Sequence, residues 1–152
     1  MSGAHFRIEL VAPLAPEIAW ARLWDLQRHT EVIPLTRVTA DAPATALAGD
    51  VEFCGRTGFG PFGFDDRMRV VEWDPPILDS PGRALVEKTG RVLGGRIEVA
   101  VTSEGSGSRV LWLQQLTLPW LPSPLRPLER MAALLAAPGY RQVIRRLLVD
   151  HA

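Results

Sequence analysis

The sequence predicts an α+β domain in which a curved antiparallel sheet of seven strands wraps around one long C-terminal helix. Three observations predict it. Short segments of alternating apolar and polar residues recur along the chain, joined by glycine- and proline-rich turns, as in sequential antiparallel strands. Helical spacing of apolar residues appears just after the first strand and again over the C-terminal segment. That C-terminal segment is the only long element available to cover the apolar face of the sheet.

The first strand is His5–Val11, where Phe6, Ile8 and Leu10 alternate with His5, Arg7 and Glu9. Ala12-Pro13 ends it. Pro16 stands at a first helical position with Glu17 in the first turn, and both favour a helix start. Ile18, Ala21 and Leu23 or Trp24 give that helix its apolar face. Asp25 caps a second short helix over Leu26–Val32, which Pro34 stops. Six strands follow near Leu35–Ala40, Asp50–Cys54, Phe64–Trp73, Arg83–Val92, Arg96–Ser103 and Ser108–Leu118. Their connectors carry turn chemistry, as in Asp74-Pro75-Pro76, Ser80-Pro81-Gly82, Gly94-Gly95 and Glu104-Gly105-Ser106-Gly107. In the last segment Leu125, Leu128, Met131, Ala132 and Leu135 recur at helical spacing, as do Tyr140, Val143, Ile144, Leu147 and Leu148. Pro138-Gly139 between these stripes predicts a kink or a brief break.

The 152 residues suit one domain, residues 1–152, and a hydrophobic fraction of 47% is too high for disorder. Seventeen basic residues balance seventeen acidic ones, so no excess charge draws the chain to nucleic acid or to an anionic membrane. Arg141, Arg145 and Arg146 read as a solvated helix face. Cys54 is the single cysteine, which excludes an internal disulfide and a cysteine metal cluster. The N-terminus lacks the apolar core of a signal peptide, and no run approaches a membrane span. A cytoplasmic protein is expected.

Several stretches resemble one family. Val11-Ala12-Pro13, then Pro16-Glu17-Ile18-Ala19-Trp20 and Asp25, is similar to its first strand and paired helices. Ile33-Pro34 with Val38 is similar to the entry to its second strand, and Val70-Val71-Glu72-Trp73-Asp74-Pro75-Pro76 to a common strand and turn. Gly107-Ser108-Arg109-Val110 leading to Trp112 resembles the hairpin into its last strand. In this order, over nearly the whole chain, the sequence resembles the SRPBCC superfamily (START-like, Bet v 1-like), and within it the polyketide cyclase/dehydrase-like proteins. The resemblance implies a helix-grip fold with a pocket for lipids, polyketides, hormones or similar molecules. It does not imply one activity.

Strand alternation assigns the pocket faces. Met68 and Val70 turn inward, as do Ile97, Val99 and Val101, and Val51 and Phe53. On the last strand the family pattern implies that Val110, Trp112, Gln114, Leu116 and Leu118 face inward. Gln114 then needs a ligand, a water or a side chain as partner, because an unpaired buried amide costs about 1–3 kcal/mol. Placing Lys88 outward turns Leu85, Glu87 and Thr89 inward, where Glu87 would orient a polar ligand atom; the alternative leaves Glu87 in solvent. The helix wall is expected at Leu128, Met131, Ala132 and Leu135. Thr57-Gly58-Phe59-Gly60-Pro61-Phe62-Gly63-Phe64 alternates glycine or proline with phenylalanine, and reads either as a lip over the pocket mouth carrying Phe59 and Phe62 or as a tucked loop. Trp120-Leu121-Pro122 reads as a clasp between last strand and helix, or as part of a homodimer surface.

Catalytic patterns are scarce. His5, His29 and His151 have no metal-ligand spacing, so neither a metal nor a cofactor is expected, and His29 reads as a surface residue, the alternative placing it near the pocket opening. Asp65 and Asp66 point to opposite faces and cannot act as a carboxylate pair; Asp66 shares a face with Met68 and Glu72. Cys54 reads as inert. The leading expectation is a binder of a hydrophobic small molecule. The alternatives are a polyketide cyclase/dehydrase-type enzyme using Gln114, Glu87 or Tyr140, and a lipid-handling or interaction protein using the phenylalanine-rich loop.

Overall fold

A computed structural model describes residues 4–40, 48–59 and 61–149; Gly60 and His151 lie outside the described residues. Strand β1 (Ala4–Ala12) leads into helices α1 (Pro16–Leu23) and α2 (Leu26–Val32). Then come β2 (Thr36–Ala40), β3 (Glu52–Phe59), β4 (Phe62–Asp74), β5 (Gly82–Thr89), β6 (Gly94–Glu104) and β7 (Gly107–Leu116). A 3₁₀ turn at Ser123–Leu125 precedes helix α3 (Leu128–Leu148). The seven strands form one sheet in the order β1-β7-β6-β5-β4-β3-β2, antiparallel throughout. No helix of the described residues is long and apolar enough to cross a membrane.

The α1–α2 pair starts and turns as its residues dictate. Pro16 opens α1, and the Asp25 side chain accepts from the backbone N–H groups of Gln27 and Arg28 at the start of α2. The pair places Trp20 and Trp24 over the sheet. Trp73 packs 4.9 Å from Trp20 and 5.2 Å from Trp24, between ring centroids, and Trp112 stacks on Trp24 at 6.3 Å. This cluster packs between the helix pair and the sheet. Gly82 is required there, because a Cβ would lie 2.6 Å from Pro76 Cδ and 2.8 Å from Trp20 Cε3.

Three expectations of side-chain direction are corrected. On β4 the register slips between Val70 and Glu72, a β-bulge that sends Glu72 to solvent and turns Trp73 inward. Glu72 therefore does not share a face with Asp66. On β5 the inward set is Ala84, Val86 and Lys88, so Leu85, Glu87 and Thr89 point away from the core. The assumption that a lysine belongs outside fails because this one has a carboxylate partner. On α3 the buried face is Glu129, Ala133, Ile144, Leu147 and Leu148, and the expected wall residues Leu128, Met131 and Leu135 are exposed. Ala132 alone of that set packs against the core.

Helix α3 runs through Pro138 without a break. Proline removes the hydrogen bond to the Leu134 carbonyl, but Leu134 and Pro138 both lie on the exposed side, where water satisfies that oxygen. The buried Glu129 carboxylate accepts from the Leu118 N–H at 2.8 Å and ties the end of the last strand to the helix.

Candidate functional site

Between the sheet, α2 and the second half of α3 lies a cavity of about 530 Å³. Phe53, Phe64, Met68, Ile97 and Trp112 line it from the sheet, Leu26, His29 and Val32 from α2, and Ala136, Tyr140, Val143 and Leu147 from α3. Its volume and mostly apolar wall suit a small molecule. It is open because α3 packs along β1 and β7, leaving a gap over β2–β4.

One charged pair interrupts the apolar wall. The Lys88 side chain is 1% exposed and that of Asp66 13%. Lys88 Nζ donates to Asp66 Oδ2 and lies 3.8 Å from Met68 Sδ. Burial works against the lysine's charge, but the paired Asp66 carboxylate favours it, and the Lys88 pKa is raised above the ordinary lysine value. Lys88 is thus an ammonium at neutral pH. Tyr140 lines the same cavity, held by a ring contact with Phe6 at 5.3 Å. Two buried atoms of cavity residues, Asp66 Oδ1 and Trp24 Nε1, have no protein hydrogen-bond partner among the described residues.

His29 lines the cavity rather than the surface. Its Nε2 lies 2.6 Å from the Leu23 carbonyl oxygen, which can only accept, so Nε2 carries the proton. Burial lowers its pKa, leaving a neutral ring whose Nδ1 is an acceptor. At the cavity rim Thr36 and Thr57 hydroxyls are 2.8 Å apart.

Of the residues expected to line a pocket, Phe53, Met68 and Trp112 do so. Val70, Val99, Val101 and Leu116 face inward but belong to the packed core beside the cavity. Gln114 is buried there too. Its Oε1 accepts from Trp112 Nε1 at 3.0 Å, which fixes the amide orientation, and its Nε2 has no protein partner among the described residues. Glu87 lies on the outer face, 3.5 Å from Arg96. Phe59 and Phe62 pair across the β3–β4 hairpin at 78% and 80% exposure, outside the cavity, while Phe64 lines it. Lys88 is the charged cavity residue that sequence reasoning sent outward, whereas Asp66 was already on the Met68 face. A signal for the lysine existed: Asp66 shares a face with Met68, and Met68 pairs directly with Lys88.

No protein-family model and no curated protein matches the chain. Solved structures do. Protein TTHA0849 of Thermus thermophilus superposes with a TM-score of 0.71 at 15% identity, covering 94% of this chain and 93% of that one. The Zhui aromatase/cyclase of a Streptomyces species gives 0.64 at 12% identity, covering 95% and 89%. The fold is the helix-grip fold. A truncated norcoclaurine synthase from Thalictrum flavum shares this helix-grip architecture, with a TM-score of 0.63 at 10% identity over 99% of this chain and 96% of that one. Such likenesses span almost the whole chain and show the helix-grip fold.

Proposed function

We propose that residues 1–152 act as one domain that binds a hydrophobic small molecule, such as a lipid or a polyketide, in the cavity between the sheet and α3. The observation that carries this reading is an apolar cavity with a buried ammonium–carboxylate pair and unpartnered polar atoms on its wall. Apolar walls supply affinity, and a few fixed polar groups orient the guest. Unpaired buried polar atoms each cost about 1–3 kcal/mol, and a guest that pairs with them recovers part of that. Native mass spectrometry of the purified protein before and after organic extraction tests the reading. A bound mass that leaves on extraction supports it; an empty protein that also takes up no apolar dye refutes it.

A second reading, an enzyme of the cyclase/dehydratase kind, is favoured by one specific feature. Tyr140, Lys88 and Asp66 line one cavity, which joins an O–H donor, a fixed cation and a carboxylate with a free oxygen. Such a set could polarise a carbonyl and accept a proton from the adjacent carbon. Of the groups expected to serve an enzyme, Tyr140 is in the cavity, Glu87 is outside it and Gln114 is in the neighbouring core.

A further inference from the structure

Helix α3 turns an apolar strip away from the sheet. Its inner side is Glu129, Ala133, Ile144, Leu147 and Leu148. On its outer side Leu128, Met131, Leu134 and Leu135 are all exposed, Leu134 and Leu135 to 73% and 76%. At about 3.6 residues per turn these four fall within an arc of about 120°. The same arc continues past Pro138 into Gln142, Arg145 and Arg146, with Arg130 and Arg141 on its flank, and all of these are exposed. A single leucine in water needs no explanation, but a contiguous set marks a contact surface. Charge gathers on the same helix. Residues 126–148 hold five arginines against one acid, Glu129, which is buried and accepts from the Leu118 N–H. None of these arginines has a carboxylate partner among the described residues. The zero net charge of the whole chain thus hides a face that is both basic and apolar.

We propose that this face of α3 docks the protein on an anionic lipid bilayer, with Leu128, Met131, Leu134 and Leu135 at the boundary of headgroups and acyl chains and Arg141, Arg145 and Arg146 among the headgroups. Leucine and methionine along one side of a helix, with arginines beside them, is the pattern that lies in a membrane interface. The four apolar side chains stand out from the helix and line neither cavity. A fluid bilayer accepts such a convex surface without a shaped partner. Arginine suits the headgroups, because its planar fork donates two parallel hydrogen bonds to a phosphate or a carboxylate while its stem stays apolar. A second copy of the chain fits less well, since its α3 would bring arginines and no exposed acid to meet arginines. The proposal does not rest on the reading of the apolar cavity, although Gln142 and Arg146 belong to this face and also line that cavity.

The test co-sediments the full chain with vesicles of phosphatidylcholine alone and of phosphatidylcholine mixed with phosphatidylserine. The mixed vesicles should bind at least about tenfold tighter, and added salt should narrow the difference. Leu134→Ser with Leu135→Ser should weaken binding to the mixed vesicles at least about tenfold. Arg141→Glu with Arg145→Glu should abolish the preference for phosphatidylserine. All four positions are exposed and outside the cavity, so both double variants should melt close to the parent. No sedimentation with the mixed vesicles, equal binding to both kinds, or unchanged binding in either double variant overturns the proposal. Binding lost with Phe59→Ser and Phe62→Ser but kept in the α3 variants moves the contact to the β3–β4 hairpin and overturns it too. Polyglutamate bound as tightly as the mixed vesicles would assign the face to an acidic protein instead. A concentration-dependent dimer that Leu134→Ser with Leu135→Ser dissolves would assign it to a second copy, and either result refutes the lipid contact.

Discussion

The Lys88–Asp66 pair should behave as a buried ion pair, destructive to break and cheap to replace. With the Lys88 side chain 1% exposed and that of Asp66 13%, neither charge is well solvated by water. Lys88→Met leaves the Asp66 carboxylate without its cation, and Asp66→Asn leaves the ammonium without its anion. Each single change should cost about 3–5 kcal/mol, and replacing both partners by apolar residues is often neutral or stabilising. For a chain of this length each kcal/mol moves Tm by about 2–4 °C, so the single variants should melt roughly 6–20 °C lower. The double variant Lys88→Met with Asp66→Leu should return to within about 1 kcal/mol of the parent. Urea unfolding of the four proteins closes the cycle. The pair also has a pH signature. A lysine whose pKa is raised by folding contributes stability that is complete below the unfolded value, about 10.4, and is lost as pH rises through the folded value. The parent should therefore weaken in strong alkali by a component that the double variant lacks. Single variants within about 1 kcal/mol of the parent would refute the reasoning, since the charges would then be exchanging with water in solution.

Other outcomes follow from the same geometry. His29 has its pKa lowered by burial, so its contribution is present above about pH 6.5 and is lost as pH falls below that; His29→Gln should flatten the melting temperature over this window, and an unchanged pH profile would remove His29 from the account. Phe59→Ser with Phe62→Ser should leave stability within about 0.5 kcal/mol because both rings are exposed; if the hairpin docks on lipid, vesicle co-sedimentation should disappear, and retained binding would reject the lipid-handling reading. Gly82→Ala should destabilise by about 1–3 kcal/mol through overpacking against Trp20 and Pro76, seen as a lower urea midpoint, whereas an unaltered midpoint would mean the Trp20 contact relaxes at no cost. Tyr140→Phe should keep the fold but abolish any turnover of a polyketide-like substrate, while retention of full activity would rule out the enzyme reading through Tyr140.

The sheet was legible because its strands mostly obey one period. Asp25 before Leu26–Val32, the Gly-Pro turns and the alternation of Ile97, Val99 and Val101 each admit one local solution, and the structure adopts it. The stripe of Tyr140, Val143, Ile144, Leu147 and Leu148 was legible, but the face of the first half of the helix was not. Leu128, Met131 and Leu135 and the stripe of Ala133, Ala136, Ala137 and Tyr140 both recur at helical spacing, on nearly opposite sides of the helix. Hydropathy chooses the leucines. Packing chooses the alanines, whose small side chains let α3 approach β1 and β7, while Tyr140 reaches over Phe6. The bulge at Val70–Glu72 was equally silent, since an inserted residue leaves no mark on an alternating pattern until its partner strand is known.

The residues that matter most for the site are those that pattern reasoning sent to solvent. Lysine belongs outside on every hydropathy argument, and β5 read alone places Lys88 there. What turns it inward is Asp66 on the neighbouring strand, a partner visible only once the β4–β5 register pairs Met68 with Lys88. A buried pair of this kind is weak evidence for stability, since an apolar pair of equal volume would hold the sheet as well. Its presence is better explained by the face it shows to the cavity: a cation held by its partner and a carboxylate oxygen left free, in a cavity that Tyr140 also lines. Departures from local pattern concentrate at functional sites, and in this chain the departure and the apolar cavity coincide at Lys88.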